Sequence, residues 1–213
     1  NRLKTYTLSI GGEGQGEGVY TYDYLGRRIK TNNNGIITKY IYDGTNVVLE
    51  VVESGVPAVR SIYTHGGGGL ISKKTLWLTG PPSLKTYYLS DALGSTTELL
   101  DEVGNVTQRY YYDVFGKAWN LAAPDPNNKN QFVGGAGVLA DDGNGLIYMR
   151  ARYYDPETGR FISRDPADLE SNSNLFIYCL NNPILNVDPT GLGPYYRGAT
   201  AADIGGIILD PFR

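Results

Sequence analysis

A Tyr-Asp unit recurs along the first half of this chain and constrains its fold more than any other feature. The clearest copies lie at residues 20–23, 40–43, 87–91 and 110–113. A glycine follows each aspartate closely, and the spacing is 20 residues between the first two aspartates and 22 between the last two. Such a period is typical of repeat proteins, in which each unit buries its apolar face only against its neighbours.

Each unit has the sequence properties of a β-hairpin. Alternating Tyr, Ile and Val positions suit a pleated surface that is buried on one side. The aspartate accepts backbone N–H groups in an Asx-type turn, and the glycine supplies a positive φ. We therefore expect Asp23, Asp43, Asp91 and Asp113 to be turn residues, and residues 63–66 to be a degenerate copy. A short hairpin is unstable alone, so the units must pack side by side. The repeat therefore predicts an all-β chain of stacked hairpins in one continuous sheet.

Composition excludes several classes of function. The 213 residues carry 19 Lys+Arg against 22 Asp+Glu, with no basic block, so we expect no nucleic-acid partner. One His and one Cys leave little material for a metal site and exclude a disulfide within the chain, so we predict neither a metal nor a cofactor. The longest apolar runs are too short for a membrane span.

Two interruptions divide the chain. A glycine-rich stretch, GGEGQGEG, ends at residue 18, and two prolines occur between residues 120 and 130. The predicted segments are an N-terminal edge strand or flexible loop (1–17), YD hairpins (18–119), a distinct C-terminal core (120–192) and a tail (193–213). A short helical turn is expected near residues 167–171.

The most specific pattern lies between residues 131 and 192. It comprises RARYYDPETGRFISRDP (150–166), NLFIY (174–178), NNP (181–183) and DPTGL (188–192). This order of motifs resembles the Rhs repeat-associated core domain. The Tyr-Asp units resemble the YD repeats of the same Rhs/YD-repeat family, which also occur in insecticidal toxin complexes and teneurins.

The resemblance implies a spiral of hairpins that forms a hollow shell, with the core as a plug at one end and a C-terminal toxin as enclosed cargo. So few hairpins cannot enclose a cargo domain. We therefore expect the partners to be the rest of a parent Rhs shell, or further copies of this chain, together with the cargo. The family also implies a secreted or cell-surface location.

The resemblance further implies an intramolecular aspartic protease that cuts after the leucine of DPTGL. The scissile bond would join Leu192 to Gly193, and the carboxylate pair would be Asp165 and Asp188. Two close carboxyl groups share one proton, so one can accept a proton from water while the other protonates or polarises the scissile amide. Tethering the substrate to its catalyst raises the effective concentration of both.

Other charged residues near these motifs have expected roles. Arg152 or Arg160 could balance the charge of the pair. Asp168 stands where the family's first motif, DPxG, has glycine, and a third carboxylate there would alter the pKa values of the pair. Asp155 is expected to be a turn residue.

Two alternative functions fit parts of the sequence. The first is a structural, adhesive or self-assembling YD-repeat module that uses the core as a cap and does not cut itself. The second is a carbohydrate-binding module, in which exposed tyrosines and tryptophans would stack on glycans. The intact DPTGL motif favours the protease, whereas Asp168 favours the non-cleaving cap.

Overall fold

The computed structural model is all-β, as the repeat predicts. It describes residues 19–53, 59–78, 81–119, 127–141, 145–166 and 174–194, and the backbone of residues 4–8, 18 and 195–196. Helical structure within these ranges is limited to two 3₁₀ turns, Gly134–Ala136 and Cys179–Asn181. None of the described helical segments is long and apolar enough to cross a membrane. The helical turn predicted near residues 167–171 lies outside the described residues, as does Asp168.

Ten antiparallel strands form one sheet in which every strand pairs with its neighbour in sequence. The strands are β1 (Lys4–Leu8), β2 (Gly18–Tyr22), β3 (Arg28–Asn33), β4 (Ile36–Asp43), β5 (Asn46–Val52), β6 (Val59–Gly66), β7 (Gly69–Trp77), β8 (Leu84–Ser90), β9 (Thr96–Leu100) and β10 (Val106–Arg109). β1 and β10 are the two edges. The stacked hairpins expected from the repeat are thereby confirmed.

One tyrosine from each repeat lines the covered face of the sheet. These side chains are all buried and comprise Tyr20, Tyr40, Tyr63, Tyr88 and Tyr110. Burial of a large side chain contributes on the order of 2 kcal/mol, so the repeat tyrosines are a main source of stability. Since they face the interior, these five rings are not available to a glycan.

Most repeat aspartates organise their turns in the same way. The Oδ1 atoms of Asp23, Asp91 and Asp113 each accept the backbone N–H groups of the second and fourth following residues. Asp43 differs in detail, since it is the first residue of a two-residue hairpin turn. It is the last residue of β4 and pairs with Asn46, because the glycine that follows it at once closes a two-residue turn.

The C-terminal segment forms smaller sheets around an aromatic core. One has four strands, β11 (Leu139–Ala140), β12 (Ile147–Met149), β13 (Arg152–Asp155) and β14 (Arg160–Phe161). The other pairs β15 (Asn186–Val187) with β16 (Tyr195–Tyr196). Tyr154 and Tyr178 lie at the centre of the core with ring centroids 4.3 Å apart.

This segment covers one end of the large sheet. Hydrogen-bond donors of the C-terminal segment bond to backbone carbonyls in every second turn of the large sheet. In a meander, every second turn lies at the same end of the sheet. The pairs are Tyr148 with Gly26, Arg150 with Thr45, Gly135 with Gly94 and Tyr154 with Phe115. The placement agrees with the predicted plug.

Buried ion pairs also join the two regions. Arg28 on β3 lies 2.6 Å from Asp141 of the core, and the hydroxyl of Tyr20 donates to the same carboxylate at 3.1 Å. Burial lowers the pKa of Arg28, but Asp141 and nearby tyrosines outweigh burial and raise it, so the guanidinium stays charged. A second pair joins Lys129 to Glu50 at 2.9 Å.

Candidate active site

Asp165 and Asp188 meet at the guanidinium of Arg152. The Arg152 Nη2 atom lies 2.9 Å from Asp165 Oδ2 and 3.3 Å from Asp188 Oδ2. Arg152 begins β13, Asp165 follows β14 and Asp188 follows β15, so three separate elements supply the site. Because both oxygens lie within ion-pair distance of one nitrogen atom, the two carboxyl groups are neighbours.

Arg152 is fixed on every side of its guanidinium. Its plane covers the ring of Phe161 at 3.5 Å, Nε donates to the carbonyl of Gly191 at 2.5 Å, and Nη1 donates to that of Leu175 at 3.2 Å. Burial lowers its pKa, while Asp165 and Asp188 act in the opposite direction. Of the two arginines considered for charge balance, Arg152 is the one that pairs with both aspartates.

Asp188 holds both residues of the Leu192–Gly193 bond. Its Oδ1 atom accepts the N–H of Leu192 at 3.2 Å, and its Oδ2 atom accepts the N–H of Gly193 at 3.1 Å. The Thr190 hydroxyl also donates to Oδ1, at 3.1 Å. A carboxyl oxygen of Asp188 therefore lies beside the nitrogen that would leave if this bond were hydrolysed.

The two aspartates have different environments. The side chain of Asp188 is 1% exposed and that of Asp165 is 15% exposed. Burial raises the pKa of Asp188, although Arg152 and the N–H donors of Gly193 and Leu192 act against it. Asp188 therefore retains a proton more readily than an ordinary aspartate.

Three consecutive residues hold the three carbonyls that precede Leu192. The donors and acceptors pair in chain order, Arg150 with Pro189, Ala151 with Thr190 and Arg152 with Gly191. Arg150 and Arg152 use their guanidinium groups, whereas Ala151 uses its backbone N–H. The segment before the bond, which forms a turn at residues 189–190, is therefore held in a single register against the turn between β12 and β13.

Gly191 allows this close approach. Its φ is +67°, and a Cβ atom added there would lie 2.5 Å from the carbonyl oxygen of Met149 and 3.0 Å from the nitrogen of Arg152. Only glycine fits both the backbone conformation and the space.

The other predicted site residues lie elsewhere. Arg160 is exposed on β14, and in the described part of the chain its side chain makes no hydrogen bond or ion pair with either aspartate. Asp155 accepts the backbone N–H of Glu157 within its own turn. Within the same ranges no group of three or more His, Cys, Asp or Glu side chains could hold a metal ion. Burial raises the pKa of the Cys179 thiol to about 12, so this thiol is unreactive.

Sequence reasoning missed Arg150. Its guanidinium bonds to backbone carbonyls, and such partners leave no residue-type signature in a sequence. The only available signal was its place two residues before Arg152, in the RAR of the longest motif.

The fold and the site together define a class. A tyrosine-lined antiparallel meander, covered at one end by a C-terminal segment, is the architecture of a YD-repeat shell protein. The sequence model described as "Teneurin YD-shell" matches residues 12–184, and the chain belongs to this family.

Similar proteins include several toxins. The tRNA3(Ser)-specific nuclease WapA of Bacillus spizizenii is 34% identical over 184 residues, which cover 84% of this chain and 8% of that protein. The double-stranded DNA deaminase toxin A of Burkholderia cenocepacia is 30% identical over 210 residues, which cover 84% of this chain and 14% of the toxin. The chain thus corresponds to an Rhs/YD-shell part of toxin-carrying proteins and spans a small part of their length.

A solved structure has the same fold. The crystal structure of TcdB2-TccC3 superposes with a TM-score of 0.72 at 24% sequence identity, over 89% of this chain and 10% of that one.

Proposed function

We propose that this chain is the C-terminal part of a secreted or cell-surface toxin-encapsulating shell, and that its core hydrolyses the Leu192–Gly193 bond to separate the cargo. One observation carries the proposal. Asp188 Oδ2 is 3.1 Å from the nitrogen of that bond, while the Arg152 nitrogen that contacts Asp188 also contacts Asp165.

Asp165 is the proposed base. It is the more exposed of the two carboxyl groups, and its Oδ2 atom lies 2.9 Å from Arg152 Nη2. Asp165 removes a proton from a water molecule, and the water oxygen forms a bond to the carbonyl carbon of Leu192 as the π electrons of the C=O bond move to the carbonyl oxygen.

Asp188 is the proposed acid. As the Leu192–Gly193 amide loses its double-bond character, the nitrogen gains a lone pair that accepts the proton of Asp188. The C=O bond re-forms as the C–N bond breaks, leaving a carboxyl group on Leu192 and an amino group on Gly193. One water molecule is consumed, and the proton on Asp165 returns to solvent or to Asp188.

The surrounding chain supplies the remaining acceleration. General acid–base groups contribute roughly 10²- to 10⁴-fold, and correct positioning of tethered groups contributes more. The bonds from residues 150–152 to the carbonyls of residues 189–191 provide that positioning.

The ends of the chain fit a larger shell. β1 pairs only with β2 within the described residues, so its free edge is a natural junction with the rest of a parent shell or with another copy. On the cargo side, Tyr195–Tyr196 pairs with Asn186–Val187. The new N-terminal segment would therefore stay bound after the cut, and cleavage must be assayed under denaturing conditions.

The test is the intact mass of the protein in denaturant, for wild type and for Asp165→Asn, Asp188→Asn and Asp155→Asn. We expect wild type and Asp155→Asn to yield fragments 1–192 and 193–213, and the other two variants to remain whole. Asp155 is the matched control because it is also followed by proline but only organises its own turn. If wild type stays whole after long incubation, the protease proposal fails and the chain is better treated as a non-cleaving structural module.

A further inference from the structure

We propose that Arg150 makes self-cleavage depend on the docking of the β4–β5 hairpin against the core, so that the cargo is cut from the shell only after this end of the sheet is covered. The inference rests on the proposed cleavage of Leu192–Gly193. Arg150 is a positioning residue in this account, since the hydrogen bonds described for its side chain go to the backbone carbonyls of Pro189, Ala136 and Thr45.

Arg150 joins three separate parts of the molecule. Its Nη1 atom donates to the carbonyl of Pro189, in the segment before the scissile bond. Its Nη2 atom donates to the carbonyl of Ala136 at 2.7 Å and to that of Thr45, in the β4–β5 turn, at 3.3 Å. A guanidinium is a rigid planar donor, so the position of the Pro189 carbonyl depends on where the other two carbonyls lie.

The backbone at Arg150 is strained. Its φ is +54°, and it lies in the two-residue connection between β12 and β13. Residues other than glycine, asparagine and aspartate rarely adopt this conformation. Such strain persists only where surrounding contacts hold it, and the three carbonyl bonds of the side chain are contacts of that kind.

The β4–β5 turn differs from the other turns that meet the core. The turns after Asp23, Asp91 and Asp113 are longer and are organised by the aspartate itself. The β4–β5 turn has only Gly44 and Thr45 between its paired ends. The carbonyl of this shorter turn is bonded by the Arg150 guanidinium, whereas the carbonyls of the other turns are bonded by tyrosine hydroxyls or a backbone N–H.

The junction is tightly packed. A Cβ atom added at Gly137 would lie 2.8 Å from Arg150 Nη2 and 3.4 Å from the carbonyl oxygen of Thr45. A displacement of the hairpin therefore cannot be absorbed by empty space between these groups. When the hairpin is undocked, Arg150 loses one of its three acceptors, and the segment that presents the scissile bond is held less firmly.

The first experiment perturbs the hairpin and the arginine separately and together. A Gly-Ser insertion between Gly44 and Thr45 moves the Thr45 carbonyl and leaves both strands intact. The matched control is the same insertion between Asn34 and Gly35, in the β3–β4 turn at the opposite end of the sheet. Each is combined with wild-type Arg150, Arg150→Ala and Arg150→Lys, and cleavage is followed by denaturing mass spectrometry after pulsed cell-free synthesis.

Misplacement of reacting groups by about 1 Å lowers a reaction rate on the order of 100-fold. Arg150 acts at one remove from the reacting groups, so we expect Arg150→Ala and the insertion at 44/45 each to slow cleavage by roughly tenfold or more. Their combination should be no slower than Arg150→Ala alone, and Arg150→Lys should recover part of the rate. The insertion at 34/35 should have no effect. A 44/45 insertion that leaves the rate unchanged, or that slows Arg150→Ala by the same factor as wild type, would overturn the inference.

A second measurement does not require cleavage. In the Asp165→Asn background, the exchange rates of the Leu192 and Gly193 amides report how firmly Asp188 holds them. Both Arg150→Ala and the 44/45 insertion should speed this exchange several-fold, with the melting temperature confirming that the variants fold. Unchanged exchange overturns the link through Arg150, whereas a wild-type chain that never cuts overturns the proposed function.

Discussion

The sheet and the core of this protein use the same chain in opposite ways. In the sheet, each strand pairs with its sequence neighbour and the aspartate turns repeat one hydrogen-bonding pattern. In the core, the decisive contacts join residues that are far apart in sequence, such as Arg152 and Asp188, which are separated by 36 positions. Repetition of local contacts builds a scaffold, whereas the chemistry needs contacts that occur once.

Backbone strain follows the same division. Among the described non-glycine residues, positive φ occurs once in the large sheet, at Asn34. The other five such residues are in the core: Val133, Arg150, Cys179, Leu180 and Asn181. Strained residues concentrate where long-range contacts hold them, which is typical of functional sites.

The junction between the two regions gives the largest predicted effect. Asp141→Asn leaves the buried Arg28 guanidinium without its charged partner. Loss of one member of a buried pair costs about 3–5 kcal/mol, so urea denaturation should show a decrease of this size in the free energy of unfolding. The exposed pair of Lys39 with Glu53 is the control, and Glu53→Gln should cost under about 1 kcal/mol. Equal losses for the two variants would contradict the account of how the regions are joined.

Glycine at the site should matter to cleavage. Gly191→Ala places a Cβ atom 2.5 Å from the Met149 carbonyl oxygen and must displace the scissile segment. We expect cleavage to slow by about 100-fold, measured as the rate at which fragment 1–192 appears. A rate within twofold of wild type would show that the fit of this segment against residues 149–152 is unimportant.

The pH dependence of cleavage sharpens the role of Asp188. Burial raises the pKa of this carboxyl group above its ordinary value of 3.8, and the proposed acid must be protonated. The protonated fraction falls as pH rises through that raised pKa, so on the alkaline side of the optimum the rate should fall about tenfold per pH unit. A rate that continues to rise with pH would assign the proton to another group.

The raised pKa of Asp188 also makes the stability of the folded protein depend on pH. Since the folded state holds the proton more tightly than the unfolded state, the contribution of Asp188 to stability is largest below the ordinary pKa and decreases as pH rises through the raised value.

Replacing a turn glycine of the large sheet, Gly104, should have the smallest effect on stability and on cleavage. Gly104 has a positive φ of +91°, but a Cβ atom added there meets nothing within 4 Å. Gly104→Ala should therefore cost only about 1–2 kcal/mol of stability through backbone strain, with no change in the cleavage rate. Slower cleavage in this variant would mean that the turns influence the site more widely than through Arg150.

The sequence predicts more of the sheet than of the core. The buried tyrosines and the turns at Asp23, Asp91 and Asp113 follow from alternation and turn chemistry, which are local. Asp43 is also at a turn, but the sequence did not predict that the glycine directly after it makes this turn shorter than the others. Asp165 and Asp188 were found through a family motif, since spacing alone does not reveal that β13, β14 and β15 bring them to one arginine. Arg28 and Arg150 were missed because their roles depend on long-range contacts.

The most direct test of the central claim is cleavage in water enriched in ¹⁸O, followed by mass analysis of the C-terminal peptide of the larger fragment. The account predicts that this fragment ends at Leu192 and carries one ¹⁸O atom in its new carboxyl group, since Asp165 directs water to the Leu192 carbonyl carbon. A fragment that ends elsewhere, or a Leu192 carboxyl group without ¹⁸O, would contradict hydrolysis of this bond by the aspartate pair.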